Sequence, residues 1–150
     1  METMDMTPDN RKKLRDLIVG SETYKQFPYT DTTGHLTIGI GRNLDDRGVS
    51  LNEALEMLDN DITYFANRLN HNLDFFTQLS DVRRMVLISM CFNLGVVGLL
   101  NFKKMLAALA SGDYETAANE IVDSKAHNQT GERYDRLADM MRTDEYVNGH

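Results

Sequence analysis

Glu22, Asp31 and Thr37 are the residues of this sequence whose types and spacing could do chemistry. Eight residues separate the two acids and five separate Asp31 from Thr37, within the stretch YTDTTGHLTIGIGR from Tyr29 to Arg42. One carboxylic acid can protonate a leaving oxygen while a second carboxylate and a hydroxyl hold a water, which is the apparatus for hydrolysing a glycosidic bond. The acid must be shielded to keep its proton near neutral pH. Glu22 stands where a helix is expected to end and an extended segment to begin, a place that can be partly buried beside a cleft. Asp31 and Thr37 belong to the hairpin that follows and could face it. By residue type alone the bland reading is the commoner one, because acids at helix ends and in loops are usually solvated.

The surrounding elements have to position these side chains. In MTPDNRKKLRDLIVG, Thr7 is an N-cap, Pro8 the first helical position, and Leu14, Leu17 and Ile18 recur at helical spacing up to Gly20. Pro28 forbids helix at Phe27 and favours extended chain. Leu36, Ile38 and Ile40 then alternate with Thr37, Gly39 and Gly41, and TTG ahead of them supplies turn chemistry, so a hairpin is expected. NLDDRG reads as a polar loop. Ser50 and Glu53 form a capping box. Leu51, Ala54, Leu55, Leu58, Ile62, Phe65 and Leu69 make one stripe of a long amphipathic helix.

Ser80 caps DVRRMVLISMCFNLG, apolar almost all round and therefore a buried central helix. VVGLLNF reads as a short connection. Further helices follow in FKKMLAALASG, DYETAANEIVDS and TGERYDRLADMMRTDEY. The expected class is α+β, mostly helical.

Composition narrows the function. The 150 residues suit one domain, or two small lobes sharing a core. The net charge is −7, with 8 Lys and Arg against 13 Asp and Glu in residues 1–80 and 8 against 8 in 81–142. Such a chain is poorly suited to gripping nucleic acid by its phosphates. No apolar run in the sequence reads as a membrane span, and no apolar signal core is visible at the N-terminus. Cys91 is alone in an apolar segment and reads as core. His35, His71, His127 and His150 lack metal-ligand spacing, so neither metal nor cofactor is expected. Gly39 and Gly41 are a lone GxG without a following Lys, better read as close packing than as a phosphate loop.

The spacing of Glu22, Asp31, Thr37 and IGIG resembles the active-site segment of phage-type lysozymes (glycoside hydrolase family 24). That family shows Glu at the end of its first helix and then Y-x-D-x-x-G-x-x-T-x-G-x-G, and YTDTTGHLTIGIG matches every fixed position. DVRRMVLISMCFNLG is similar to the family's central helix. DYETAANEIVDSKAHNQTGERYDRL is similar to its W-x-E-A-A … S-x-x-x-N-Q-T-x-x-R segment. The likeness spans most of residues 13–142.

The resemblance implies a lysozyme-like two-lobe fold. It would have a small β-hairpin lobe at about 20–50, a connecting helix at about 50–72, and a helical lobe at about 73–145 joined by the N-terminal helix 8–19. It implies an endolysin that cleaves the β-1,4 bond between N-acetylmuramic acid and N-acetylglucosamine in peptidoglycan, with inversion in the T-even phage branch. Glu22 would be the general acid, Asp31 would place or activate the water, and Thr37 would bind that water. Arg133 matches the family's Arg that pairs with the catalytic Glu. Asn93 and Thr130 match polar residues of the larger lobe, and these three with Tyr29 are the candidate substrate contacts. For Arg133 a plain structural salt bridge is an equal reading, and for Asn93 and Thr130 caps and turns are the alternative. The expected partner is the glycan strand, bound by a monomer that acts in the periplasm or wall after release from the cytoplasm. A non-catalytic binding protein of the same fold and a secreted antibacterial effector are the alternatives.

The sequence departs from that pattern in four places. Thr23 stands where a Gly usually follows the Glu, and would be strained if the backbone required positive φ. Arg42 stands where the T-even branch has a His that pairs with a structural acid, and could make a similar ion pair. NLDDRGVS is a shortened small-lobe segment. The chain is acidic and lacks Trp, so Tyr24, Phe27 and Tyr29 are the aromatics that could stack on sugar; core packing of Phe27 or Tyr29 is the rival reading.

Overall fold

The computed structural model describes residues 5–148, and for 125–130 the backbone alone. The chain divides into two compact units, the first ending at Glu56 and the second beginning at Met57. Among the described residues it holds seven α-helices and one three-stranded antiparallel sheet, an α+β arrangement dominated by helix.

In the first unit, α1 (Pro8–Ser21) starts as the sequence dictates: Asn10 N donates to Thr7 Oγ1 at 3.2 Å and Pro8 takes the first helical position. The backbone turns extended at Glu22 (φ −103°, ψ 130°), whose N–H still donates to Ile18 O at 2.7 Å. No residue of α1 is buried, so its apolar face of Leu14, Leu17 and Ile18 is exposed. The sheet follows in the order β1 (Tyr24–Thr30), β2 (Leu36–Ile40), β3 (Arg42–Asn43). Tyr29 pairs with Thr37 and Thr30 with Leu36, and the register shifts between Lys25 and Tyr29. That irregularity contains Pro28, which has no N–H to give to a ladder.

The NLDDRG segment is not wholly loop. Residues Leu44–Arg47 close one helical turn, α2, capped by Asn43, whose side chain accepts from Asp46 N. The fourth residue of the segment, Asp46, is thereby used as a cap donor rather than left to solvent. Asp45 Oδ2 accepts from Leu36 N at 2.8 Å and so ties this turn to β2.

Helix α3 (Leu51–Asn72) opens on the expected capping box. Ser50 N donates to Glu53 Oε1 at 2.9 Å and Glu53 N to Ser50 Oγ at 3.2 Å. Its stripe is continuous in sequence, yet only its C-terminal part is covered. Leu51 and Leu55 are exposed, whereas Leu69 is fully buried and Phe65 packs on the core.

The second unit is helical: α4 (Asp81–Leu100), α5 (Lys103–Ala110), α6 (Tyr114–Val122) and α7 (Lys125–Thr143). Val86, Leu87, Met90, Cys91 and Leu99 of α4 are buried with Met105, Ile121, Tyr134 and Met141. By length and hydropathy alone α4 could cross a membrane, which is also the composition a central core helix needs. VVGLLNF is not a plain connection. The helix breaks at Gly95 (φ 72°, ψ 168°), a backbone state open to glycine, and resumes through Leu100. Helix α7 begins earlier than its last clear amphipathic segment, at Lys125.

Arg83 joins the beginning of α4 to the end of α7. Its Nε donates to Met141 O at 2.8 Å, its guanidinium lies 3.5 Å over the Tyr114 ring, and it faces Asp144. It thus takes up a carbonyl that a helix end leaves without an intrahelical partner. Its neighbour Arg84 pairs with Asp81 at the start of the same helix.

Candidate active site

Glu22 is placed by the end of α1 and bedded on the turn between β2 and β3. A Cβ added to Gly41 would meet Glu22 Cδ at 3.1 Å and Oε2 at 3.2 Å. The carboxyl therefore lies against the bare Cα of Gly41, itself at φ +70°. The shielding expected for this acid is not present in the structure: Glu22 and its neighbours Thr23 and Tyr24 are all exposed. Thr23 carries no strain of the anticipated kind, because Asp144 is the sole non-glycine with positive φ among the described residues.

Asp31 opens the hairpin loop, and its Oδ1 gathers three donors. They are Thr33 N at 2.9 Å, Thr33 Oγ1 at 2.7 Å and His35 N at 2.9 Å. The His35 N–H first, and the Thr33 hydroxyl second, hold the Asp31 carboxyl below its ordinary range, so it is a carboxylate. No described residue donates to Oδ2, which leaves that oxygen for water or ligand.

Thr37 is the buried polar residue of the sheet, 3% exposed. Its hydroxyl donates to His35 O at 3.0 Å, and Asp31 N donates to the same oxygen at 2.9 Å. Asp31 and Thr37 therefore both hold the backbone of His35. With its hydrogen committed, the Thr37 oxygen keeps lone pairs as an acceptor. Tyr29, opposite Thr37 in the register, is half-buried and has Lys25 Nζ 5.9 Å from its ring centre. Phe27 and Tyr24 are 72% and 65% exposed, so core packing does not account for Phe27.

On the second unit, Asn93 Oδ1 accepts from the hydroxyl of fully buried Tyr134 at 2.9 Å, while Asn93 itself is exposed. Arg133 Nη2 donates to Ser89 O at 2.9 Å, which holds its guanidinium to α4 one turn before Asn93. The Thr130 side chain lies outside the described residues.

The family described as Phage lysozyme matches residues 19–142, which include the acid, the hairpin and the helices of the second unit. The chain belongs to the phage lysozyme family. Among curated proteins, this phage lysozyme family member is 25% identical to "Probable T4-type lysozyme 1" of Dictyostelium discoideum. That match covers 87% of this chain and 94% of the other. It is 26% identical to "Probable T4-type lysozyme 2" of the same organism, with the same coverage. It is also 24% identical to part of the "Pre-baseplate central spike protein Gp5" of Enterobacteria phage T4, over 91% of this chain and 29% of that protein. Membership supports a lysozyme-type muramidase in general, a glycosidase whose class of substrate is peptidoglycan.

Four residues gathered at this candidate site have roles there that the sequence did not specify. Thr33 and His35 gather at Asp31, and an Asp followed two residues later by a Thr is the sequence sign of such a side-chain turn. The close packing expected of Gly39 and Gly41 holds at Gly41, where the neighbour is Glu22, and not at Gly39, where an added Cβ meets nothing within 4 Å. Glu53 was read only as a cap, yet Arg42 donates from both terminal nitrogens to its two oxygens and also to Gly48 O at 2.9 Å. Arg42 thus has the ion pair with an acid expected at its position.

Proposed function

We propose that the protein cleaves the β-1,4 bond between N-acetylmuramic acid and N-acetylglucosamine in bacterial peptidoglycan, with inversion at the sugar carbon. Glu22 protonates the leaving oxygen. Asp31 takes up the proton of a water through its unoccupied Oδ2, and Thr37 aligns that water as an acceptor. The observation that carries this reading is the shared hold of Asp31 and Thr37 on His35. It leaves one carboxylate oxygen at the start of the hairpin loop and one hydroxyl lone pair on β2 without a partner among the described residues. Both are acceptors, as a water that must give up a proton requires.

Glu22 is exposed in the free protein. A glycan laid over the carboxyl displaces water, and a carboxyl removed from water favours its neutral form. Tyr29 and the exposed Phe27 offer ring faces to sugar. With this substrate, the protein works in the periplasm or the wall.

The test is clearing of purified peptidoglycan followed by turbidity. Native protein clears the suspension, and Glu22→Gln loses nearly all activity while keeping its helical circular dichroism. Clearing that survives this change would remove Glu22 from the mechanism. If native protein binds peptidoglycan without clearing it, a non-catalytic binding role replaces the reading.

A further inference from the structure

Asp31 is held by more than a turn requires. The N–H groups of Thr33 and His35 already close the loop on Oδ1. The Thr33 hydroxyl adds a third donor at 2.7 Å, and the same hydroxyl oxygen lies 2.6 Å from Nδ1 of His35. A hydroxyl has one hydrogen, so it can donate to Asp31 or to His35 but not to both. The carboxylate is the stronger claimant, because a hydrogen bond to an ionised acceptor is about twice as strong as a neutral one. Thr33 then has only lone pairs to offer the imidazole, and Nδ1 must carry a hydrogen.

We propose that His35, Thr33 and Asp31 form a directed hydrogen-bond relay. His35 Nδ1–H donates to Thr33 Oγ1, and Thr33 O–H donates to Asp31 Oδ1. The relay saturates one oxygen of Asp31, fixes its rotamer and leaves Oδ2 as the acceptor for the attacking water. Thr33 and His35 are positioning residues, acting through Asp31. This rests on the reading of Asp31 as the residue that takes up the water's proton. Both occupy open positions of the motif Y-x-D-x-x-G-x-x-T, so the relay belongs to this chain and not to the motif. Thr32, in the same loop, has no part in it.

Two measurements test it. In native protein at pH about 8, where an ordinary imidazole is neutral, nitrogen-15 NMR should show His35 protonated on Nδ1. Thr33→Val should move that hydrogen to Nε2. The same variant should lower kcat about tenfold, the loss of one hydrogen bond to a charged acceptor. KM should stay within about twofold of native, since uniform substrate binding is untouched. Thr33→Ser, which keeps the hydroxyl, should restore kcat. Native His35 protonated on Nε2 overturns the relay, and needs no variant to be read. So does a Thr33→Val enzyme with native kcat, or one that loses KM and kcat alike and is not rescued by Ser. Full clearing by Asp31→Asn would instead overturn the role of Asp31 itself, and the positioning role would fall with it.

Discussion

Glu22 rests on a residue that has no side chain, and this makes Gly41 part of the acid's address. Gly39 offers a control two positions away, with almost the same backbone angle (φ +71° against +70°) but nothing within 4 Å of an added Cβ. Replacing either by Ala forces a left-handed backbone on an L residue, at a cost of about 1–2 kcal/mol each. Urea unfolding should show that loss in both. Only Gly41→Ala also pushes the Glu22 carboxyl aside. That shift is a few tenths of an ångström, and a reacting group is sensitive to small misplacement, so Gly41→Ala should clear peptidoglycan several-fold more slowly than Gly39→Ala. Equal activities would mean that Glu22 is not placed by Gly41. Glu22, Asp31 and Thr37 were legible as candidates because a motif of fixed spacing names them. The bed under Glu22 was not, because it is a contact between the end of a helix and a turn that no local pattern encodes.

At the scale of elements, Glu53 serves both the start of α3 and the β2–β3 strand pair. It accepts from Ser50 N within the cap and from Arg42 of β3. The bond from Arg42, ahead of those from Ser50, pulls its carboxyl down from an ordinary value of 4.5 to about 2. A folded value below the unfolded one stabilises the protein at pH above the ordinary value. That contribution is lost as pH falls from about 4.5 towards 2. The melting-temperature gap between native protein and Glu53→Gln should therefore be constant above about pH 5 and close through that window. A gap that ignores pH would mean the pair contributes nothing to folding. The capping box was readable because its two members are three residues apart. Its ion pair with Arg42, eleven residues away, became visible only when the sheet and α3 were in place. α2 was missed for a related reason: the four residues Leu44–Arg47 between Asn43 and Gly48 have loop composition, and the cap geometry makes them helical.

For the whole molecule, the net charge of −7 acts against an anionic wall before any specific contact forms. Raising salt from about 0.01 M to 0.15 M shortens the screening length from about 30 Å to about 8 Å, so clearing should speed up over that range. Slowing over the same range would show that a local cationic patch governs encounter. Helix-dominated class and helix order were legible from periodicity and caps, whereas burial was not. α1 and the first half of α3 carry good apolar stripes and still expose them, because a stripe states what can be covered, not what covers it. The seam at Arg83 has a mechanical consequence. Ser80, at the start of α4, donates to Asp144, just past α7, so the two ends of the four-helix segment leave from one place. A force applied to them would part Ser80 from Asp144 and Arg83 from Met141 in succession, as a zip opens, instead of shearing whole helices past one another. The segment should therefore yield at low force in a pulling experiment, however deeply Leu87 and Met90 are buried.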